Sequence, residues 1–395
     1  MRLHYFWPLL FSPLLLMAEF GIVDAFTKGA VHGQVKLFSY DIDKSSDEDA
    51  FATALGGYLK YSTDTNRSLY GSVHFHTSQP VGYNKNREDT ALFNNDKNGD
   101  ALTVNSEAYI GWKGTHRVLK VGNLMLNTPM MNDDTTRIVP WSYQGFAYTG
   151  EAVSDTKVQL NYIRRIRSHT SDEYKKESAS GEIGDGILMI GMQYDGIESL
   201  DLQSYYYYAP DLYSTFIAQA DYKLILDKDN MICVGIQYFN SGNGGKYAER
   251  ENKNGGDDID LLAIQAGLYA EDWMVSLNYS QNFGISGIVK GYGGLANVFT
   301  TSMVANGRGN YKPETWMLKS RYDLPVTDWG YSEVAVTLTN TRVHDRRGDD
   351  FDAYYMHWKH RFNVDTSLFV RFENIDYKND KSDVKYLRVI ASYEF

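Results

Sequence analysis

Apolar and polar side chains alternate at every second position along most of this sequence, and that one feature limits what the chain can fold into. In TFIAQADYKLIL, Phe216, Ala218, Ala220, Tyr222, Leu224 and Leu226 stand against Gln219, Asp221 and Lys223. In TWMLKSRYDL, Trp316, Leu318, Tyr322 and Leu324 oppose Lys319, Arg321 and Asp323. The closing stretch DVKYLRVIASYEF sets Leu387, Val389, Ala391, Tyr393 and Phe395 against Tyr386, Arg388, Ser392 and Glu394. A period of two belongs to a strand with one apolar and one polar face. Past residue 18 no stretch approaches the roughly 20 apolar residues of a spanning helix, so a membrane protein with this sequence must cross as a closed sheet.

Eighteen such segments can be marked, from 30–43 to 383–395. The spacing predicts an all-β fold: a transmembrane antiparallel β-barrel of eighteen strands, with short periplasmic turns and long extracellular loops. The connections sort by length in that way. Short ones such as DTN (64–66), GT (114–115), DKDN (227–230), AED (270–272), PVTDWG (325–330) and NVD (363–365) alternate with long polar ones at 80–102, 127–137, 168–185, 243–257 and 285–312. Trp112, Trp273, Trp329, Phe362 and Phe395 lie at or beside the short turns, where an interfacial aromatic girdle belongs. Phe395 then becomes an outward residue of the closing strand, and a terminal aromatic is a widespread recognition signal for the barrel-assembly machinery of outer membranes. The connection around Pro210 and Asp211 must be very short, and 285–312 has room for a further pair of strands. The alternative, a soluble β-sandwich with aromatic cores, does not account for the sorting of the loops.

The first residues, MRLHYFWPLLFSPLLLMAEF, read as a secretory signal peptide, 1–18: Arg2, an apolar run, and cleavage after Ala18. No cysteine follows to carry a lipid, which leaves 19–395 as a single barrel domain in the outer membrane of a Gram-negative bacterium, surrounded by lipid and lipopolysaccharide. The 395 residues carry a formal net charge of −11, with no basic stripe for a nucleic acid. Cys233 is the only cysteine, so neither a disulfide framework nor a thiolate metal cluster can form.

With the apolar face toward lipid, the polar face lines the lumen. Lys36, Lys60, Lys120, Arg165, Lys223, Lys319, Arg321, Lys359, Arg361, Arg371 and Arg388 fall there, against Glu107, Asp221, Asp323, Glu373 and Glu394. The acidic balance of the whole chain comes from outer loops such as DIDKSSDED (41–49). A cationic wall raises the local concentration of anions and can pass a carboxylate from one cation to the next; the same charges can also simply solvate a wide pore. In LNTPMMNDDTTRIVPWSYQGF, 126–146, Asp133, Asp134 and Arg137 lie between Pro129 and Pro140. These charges suit a constriction that orients a zwitterion; equally, the two aspartates suit turns and Arg137 a partner that holds the loop to the wall.

The run Asn132, Asp133, Arg137, Pro140 and Gly145 resembles the third-loop region of the OprD-type outer-membrane porins, with one extra residue before the arginine. The eighteen-strand layout and the inward basic row share the resemblance. It implies a substrate-specific channel for amino acids, peptides or organic acids, with Asp133, Asp134 and Arg137 at the constriction and Arg165, Lys319, Arg321, Arg361, Arg371 and Arg388 as a basic ladder. The ladder here mixes lysine with arginine, and lysine lacks the planar fork that holds a carboxylate at two points.

Other chemistry finds little support. His74 and His76 share a strand face without a third ligand nearby in sequence. NNDKNGDALTVN (94–105) imitates the start of a calcium loop but lacks its acidic twelfth residue, and GNGGK (242–246) lacks the spacing of a phosphate loop. Neither G-x-S-x-G nor H-E-x-x-H occurs. The expectation is therefore a passive channel, not an enzyme, without cofactor or metal, a monomer or loose trimer, with small anionic or zwitterionic solutes as cargo. A non-selective pore, a barrel enzyme and a surface adhesin are the alternatives.

Overall fold

The alternating segments pair edge to edge until no edge is left. The computed structural model describes residues 22–176, 185–210, 213–243, 258–284, 292–301, 312–344, 349–378 and 383–395. Among these, eighteen antiparallel strands follow one another in chain order: β1 (Ala30–Lys44), β2 (Ala50–Ser62), β3 (Leu69–Pro80), β4 (Leu102–Lys113), β5 (Arg117–Leu124), β6 (Ser142–Val153), β7 (Thr156–Arg167), β8 (Ile187–Ile197) and β9 (Leu200–Ala209), then β10 (Tyr213–Ile225), β11 (Asn230–Asn243), β12 (Ile259–Ala270), β13 (Trp273–Asn282), β14 (Pro313–Asp323), β15 (Tyr331–Val343), β16 (Phe351–Arg361), β17 (Thr366–Tyr377) and β18 (Val384–Glu394). A short helix, α1 (Ile22–Thr27), precedes them. The expected signal peptide, and GNGGK beyond Asn243, lie outside the described residues.

β1 pairs with β2 on one side and with β18 on the other, which closes the barrel. The closing ladder runs through Phe395, whose N–H donates to the Gly33 carbonyl at 2.9 Å and whose carbonyl accepts from the Gly33 N–H at 2.8 Å. Its ring lies over Gly33, in space that a Cβ there would occupy. A residue that looked like an unprotected end in the sequence is thus paired on its backbone, and its ring sits at the membrane edge beside Tyr393.

The barrel is apolar on the outside. Leu37, Leu59, Phe75, Ile236, Ile264, Leu277 and Leu318 are all exposed, an arrangement that only a lipid solvent makes favourable. Trp112, Trp273, Trp329, Phe362 and Phe395 are exposed next to the short turns, as the girdle requires. Gly57 marks the tightest approach within the wall: its φ is +137°, and a Cβ would lie 1.8 Å from the Gln34 carbonyl oxygen of β1.

The register shifts at four places among the described strands, two of them beside the short turns at Glu151/Val153 and Tyr194/Ile197; the other two lie further up the wall. In β4 an extra residue, Ser106, is inserted opposite the His74/Phe75 step. In β7 the extra residue is Arg164, opposite the Gln144/Gly145 step of β6. The expected strand 138–152 begins only at Ser142, because Ile138 and Val139 are buried in separate apolar clusters inside the barrel.

Two outcomes follow from this assignment of faces. Ile264→Arg, on the lipid face at mid-strand, is expected to destabilise the barrel by about 2–4 kcal/mol, whereas Gln265→Arg on the lumen face costs less than about 1 kcal/mol. Urea unfolding in lipid bilayers measures both. Gly57→Ala, which forces a Cβ against the β1 backbone, is expected to cost about 1–3 kcal/mol and to lower the temperature at which the folded band is lost in heat-modifiability gels.

Candidate functional site

β5 is the shortest strand, 8 residues long, because after Leu124 the chain leaves the wall and enters the lumen. Leu126, Met130 and Met131 of this third loop pack against Tyr205, Tyr207, Tyr213 and Tyr292 on the β9–β10 side. Further on, Ile138 packs against Phe38, Tyr40 and Ile42 of β1 and the inward alanines of β2. The loop therefore crosses the barrel with an apolar anchor at each end. Asp133, Asp134 and Arg137 lie between the anchors.

The connection between β13 and β14 supplies a second inward segment. Residues 292–301 form no strand; they dock on the third loop and on the wall. The Asn132 side chain accepts from the Leu295 N–H at 3.0 Å and donates to the Leu295 carbonyl at 2.7 Å. Gly294, with φ +78°, comes so close to Asn132 that a Cβ would meet its Oδ1 at 2.4 Å. Gln237 accepts from the Phe299 N–H at 2.9 Å. The Tyr292 hydroxyl donates to Thr215 at 3.2 Å. Together the two segments fill the lumen beside β6–β12 with buried side chains.

Where the third loop leaves, the wall above β5 needs repair. Tyr174, from the connection after β7, places its hydroxyl 3.0 Å from the Ser142 hydroxyl of β6 and donates to the Asn105 carbonyl of β4 at 3.4 Å. Arg167, almost wholly buried, stacks on Tyr174 and donates to the carbonyls of Pro140 and Ser171, each at 3.1 Å. Outside, Asp96 holds the same connection through Ser171 and Lys175, and these hydrogen bonds, Ser171 first, draw its carboxyl below the ordinary range. In the calcium-like stretch Asp100 is likewise engaged, by Arg87 at 3.0 Å.

The expected site residues divide into distinct groups. Arg137, Arg371 and Arg388 converge around Tyr40. The Arg388 guanidinium lies 4.1 Å from the Tyr40 ring centre and donates to its hydroxyl at 2.6 Å. Arg137 lies 5.2 Å from the same ring and donates to the Thr136 carbonyl at 3.1 Å. Arg371, directly opposite Arg388 in the β17–β18 register, packs on the rings of Tyr355 and Phe369. Burial pulls Arg137 below the usual guanidinium value, with Tyr40 and Asp134 opposing and Arg371 adding to the shift. Arg361, on the same face as Lys359 and His357, is exposed toward the periplasmic end.

Lys319 and Arg321 are partly occupied: the Lys319 ammonium donates to the Phe299 carbonyl at 2.9 Å, and Arg321 pairs with Asp323 at 3.5 Å. Asp134 makes a turn, with φ +45° and its carboxylate accepting from the Thr136 hydroxyl at 2.6 Å. Asp133 is half-buried; burial raises its carboxyl, its own N–H opposes the shift, and Asp134 and Glu107 add to it.

Arg165 does not face the lumen. It pairs with Gln144, on the face opposite to inward Tyr143, because the extra Arg164 shifts the alternation by one residue. The lumen also holds acids that the sequence reading left out: Asp201 pairs with Lys223, and Glu333 lies 3.0 Å from His357. His74 and Glu107, 3.6 Å apart, form a buried wall cluster that Lys60 joins at 3.5 Å. Tyr40, Tyr292 and the 292–301 segment went unremarked in the sequence. Their signal is apolar residues on the parity that should be polar: Phe38, Tyr40 and Ile42 on β1, and Tyr205 and Tyr207 within YYYY.

Three solved porin structures share this architecture. Acinetobacter baumannii OccAB4 superposes with a TM-score of 0.83 at 16% identity, over 93% of this chain and 98% of that one. Pseudomonas aeruginosa OccK3 (OpdO) gives 0.80 at 14%, over 96% and 99%. The structure of Pseudomonas aeruginosa OpdK with vanillate gives 0.78 at 15%, over 92% and 98%. No curated protein sequence is significantly similar. The family described as outer membrane porin, OprD family, matches residues 82–394. A closed eighteen-strand wall, a third loop folded across its lumen and a family match over most of the chain lead to one conclusion: this protein belongs to the OprD family of outer-membrane porins.

Proposed function

We propose that this porin is a passive diffusion channel that prefers small carboxylate-bearing or zwitterionic solutes, such as amino acids, peptides or organic acids. The observation that carries the reading is the group of three guanidiniums around Tyr40. Among the described residues their direct contacts are a carbonyl, two hydroxyls and aromatic rings, with no carboxylate among them, and Asp134 acts on Arg137 only from a distance. Cations without a carboxylate in direct contact favour an anion in transit, and the planar fork matches a carboxylate at two points. From this group, inward Lys36, Lys359 and Arg361 continue toward the periplasmic end, so a carboxylate released by one cation meets another. Vanillate, in the OpdK structure, is itself a carboxylate.

Asp133 and Asp134 serve this reading as loop formers that place Arg137, with Asp133 also able to meet the ammonium of a zwitterion. Lys319 and Arg321 serve as lower rungs, weakened by the partners they already hold. Recognition of the closing strand by the assembly machinery, and a monomer or loose trimer as the working state, belong to the same proposal.

Purified protein in planar bilayers under a salt gradient is expected to give an anion-directed reversal potential and block by small carboxylates. Arg137→Gln and Arg371→Gln should each weaken that block about tenfold, the worth of one charge-assisted hydrogen bond. Large ohmic conductance with neither preference nor block would show a general diffusion pore instead.

The half-buried Asp133 generates a further expectation. Its carboxyl titrates above the ordinary aspartate value of about 4, and it gains a negative charge as pH rises through that raised value. Anion preference should therefore fall over that interval, and Asp133→Asn should remove the step.

A further inference from the structure

The outer face of β5–β7 changes chemistry abruptly near its extracellular end. Up to Val121, Phe146 and Tyr162 the outward side chains are apolar and exposed, and the two rings stand 6.0 Å apart as a girdle. The next outward row is Asn123, Gln144 and Arg165, in direct cross-strand register. The bulge adds Arg164 to that face. The Gln144 amide donates to Asn123 Oδ1 at 3.2 Å, which ties the row together. Elsewhere on this rim two lysines are matched: Lys385 lies 3.7 Å from Asp43, and Lys378 lies 2.7 Å from Asp352. Among the described residues, the side chains of Arg164 and Arg165 have no ion pair or hydrogen bond.

Two adjacent guanidiniums without a partner among the described residues, just above an aromatic girdle, sit where lipid headgroups begin. An arginine pair there recognises phosphate bidentately, and the outer leaflet of an outer membrane is rich in phosphorylated glycolipid. We propose that the outer face of β5–β7 binds a lipopolysaccharide molecule, with a lipid A phosphate on Arg164 and Arg165 and acyl chains along Val121, Phe146 and Leu160. The bulge is then the device that makes the site: were the alternation unbroken from Ile163, Arg164 alone would face outward and Arg165 would face the lumen. The inference rests on the outer-membrane placement that the family gives and is independent of which solute the channel carries.

The test is native mass spectrometry of the full chain, refolded in detergent and titrated with bisphosphorylated lipid A or with lipid A stripped of phosphate. The wild-type protein is expected to retain the bisphosphorylated lipid, and the Arg164→Gln/Arg165→Gln pair to lower retention at least about tenfold, in line with two lost charge-assisted contacts. Dephosphorylated lipid A should bind the wild-type protein no better than the phosphorylated lipid binds the variant. Equal retention by the variant overturns the proposal, as does displacement of the lipid by millimolar inorganic phosphate, which would reassign the site to the free ion. Unchanged conductance of the variant shows that the barrel is intact. Should the double variant not refold, Arg165→Lys keeps the charge and removes the fork; a partial loss supports the site and undiminished binding refutes it.

Discussion

Hydrocarbon offers no partner to a backbone N–H or carbonyl, and each one left unpaired there costs several kcal/mol. This constraint orders the whole molecule. It requires β1 to meet β18, and it extends that ladder through the backbone pairing of Phe395 with Gly33. It also sets the consequence of sending a strand inward. Once β5 ends at Leu124, the upper part of β4 has lost its neighbour, and the Asn105 carbonyl finds the Tyr174 hydroxyl instead. Arg167, stacked on that tyrosine, ties it to Pro140 and Ser171. A loop that belongs to the outside is therefore part of the wall.

Inside the barrel the forces differ, because water is present and charge is permitted. Even so, placing Arg371 directly opposite Arg388 is unfavourable, as like charges across a strand pair repel. Tyr40 reduces the cost: its ring lies against two of the three guanidiniums and its hydroxyl accepts from one, a cation–π arrangement that stabilises charge without cancelling it. A carboxylate in the same position would stabilise the cluster more and leave less attraction for an anion. The third loop makes the arrangement durable. Met131 and Ile138 are buried in clusters on different sides of the lumen, so Arg137 between them cannot swing far.

How much of this could be read from the sequence depends on which force fixes each feature. The strand count, the outer girdle and the alternation of loop lengths come from the solvent boundary, and solvent writes itself into every second residue; all of these were legible. Most ladder residues, Arg371 and Arg388 among them, were placed on the correct face for the same reason. Arg165 was misplaced because a single inserted residue inverts a period of two, and nothing in NYIRRIRS marks which arginine is the extra one. The occupation of Lys319 by the Phe299 carbonyl was invisible, since it depends on a contact between residues of different elements inside the lumen. The inward course of 292–301 left a fainter trace, in tyrosines where the lumen face should have been polar.

Those tyrosines also decide which side of the channel a solute meets. Tyr205, Tyr207, Tyr213 and Tyr292, with Met130, Met131 and Phe239, form one buried mass against β6–β12. Inward side chains that keep contact with solvent include His357, Lys359, Arg361 and Arg371 on β16 and β17, and, below the packed mass, Lys223 and Asp201 on β10 and β9. At the level of the third loop the lumen is thus asymmetric: one side is close-packed and apolar, the other open and cationic. Low-dielectric material facing a charged wall concentrates the field of that wall across the remaining passage. The apolar half therefore does more than narrow the pore. It strengthens the electrostatic influence of the arginines on whatever passes, and so the two loops and the ladder act as one device.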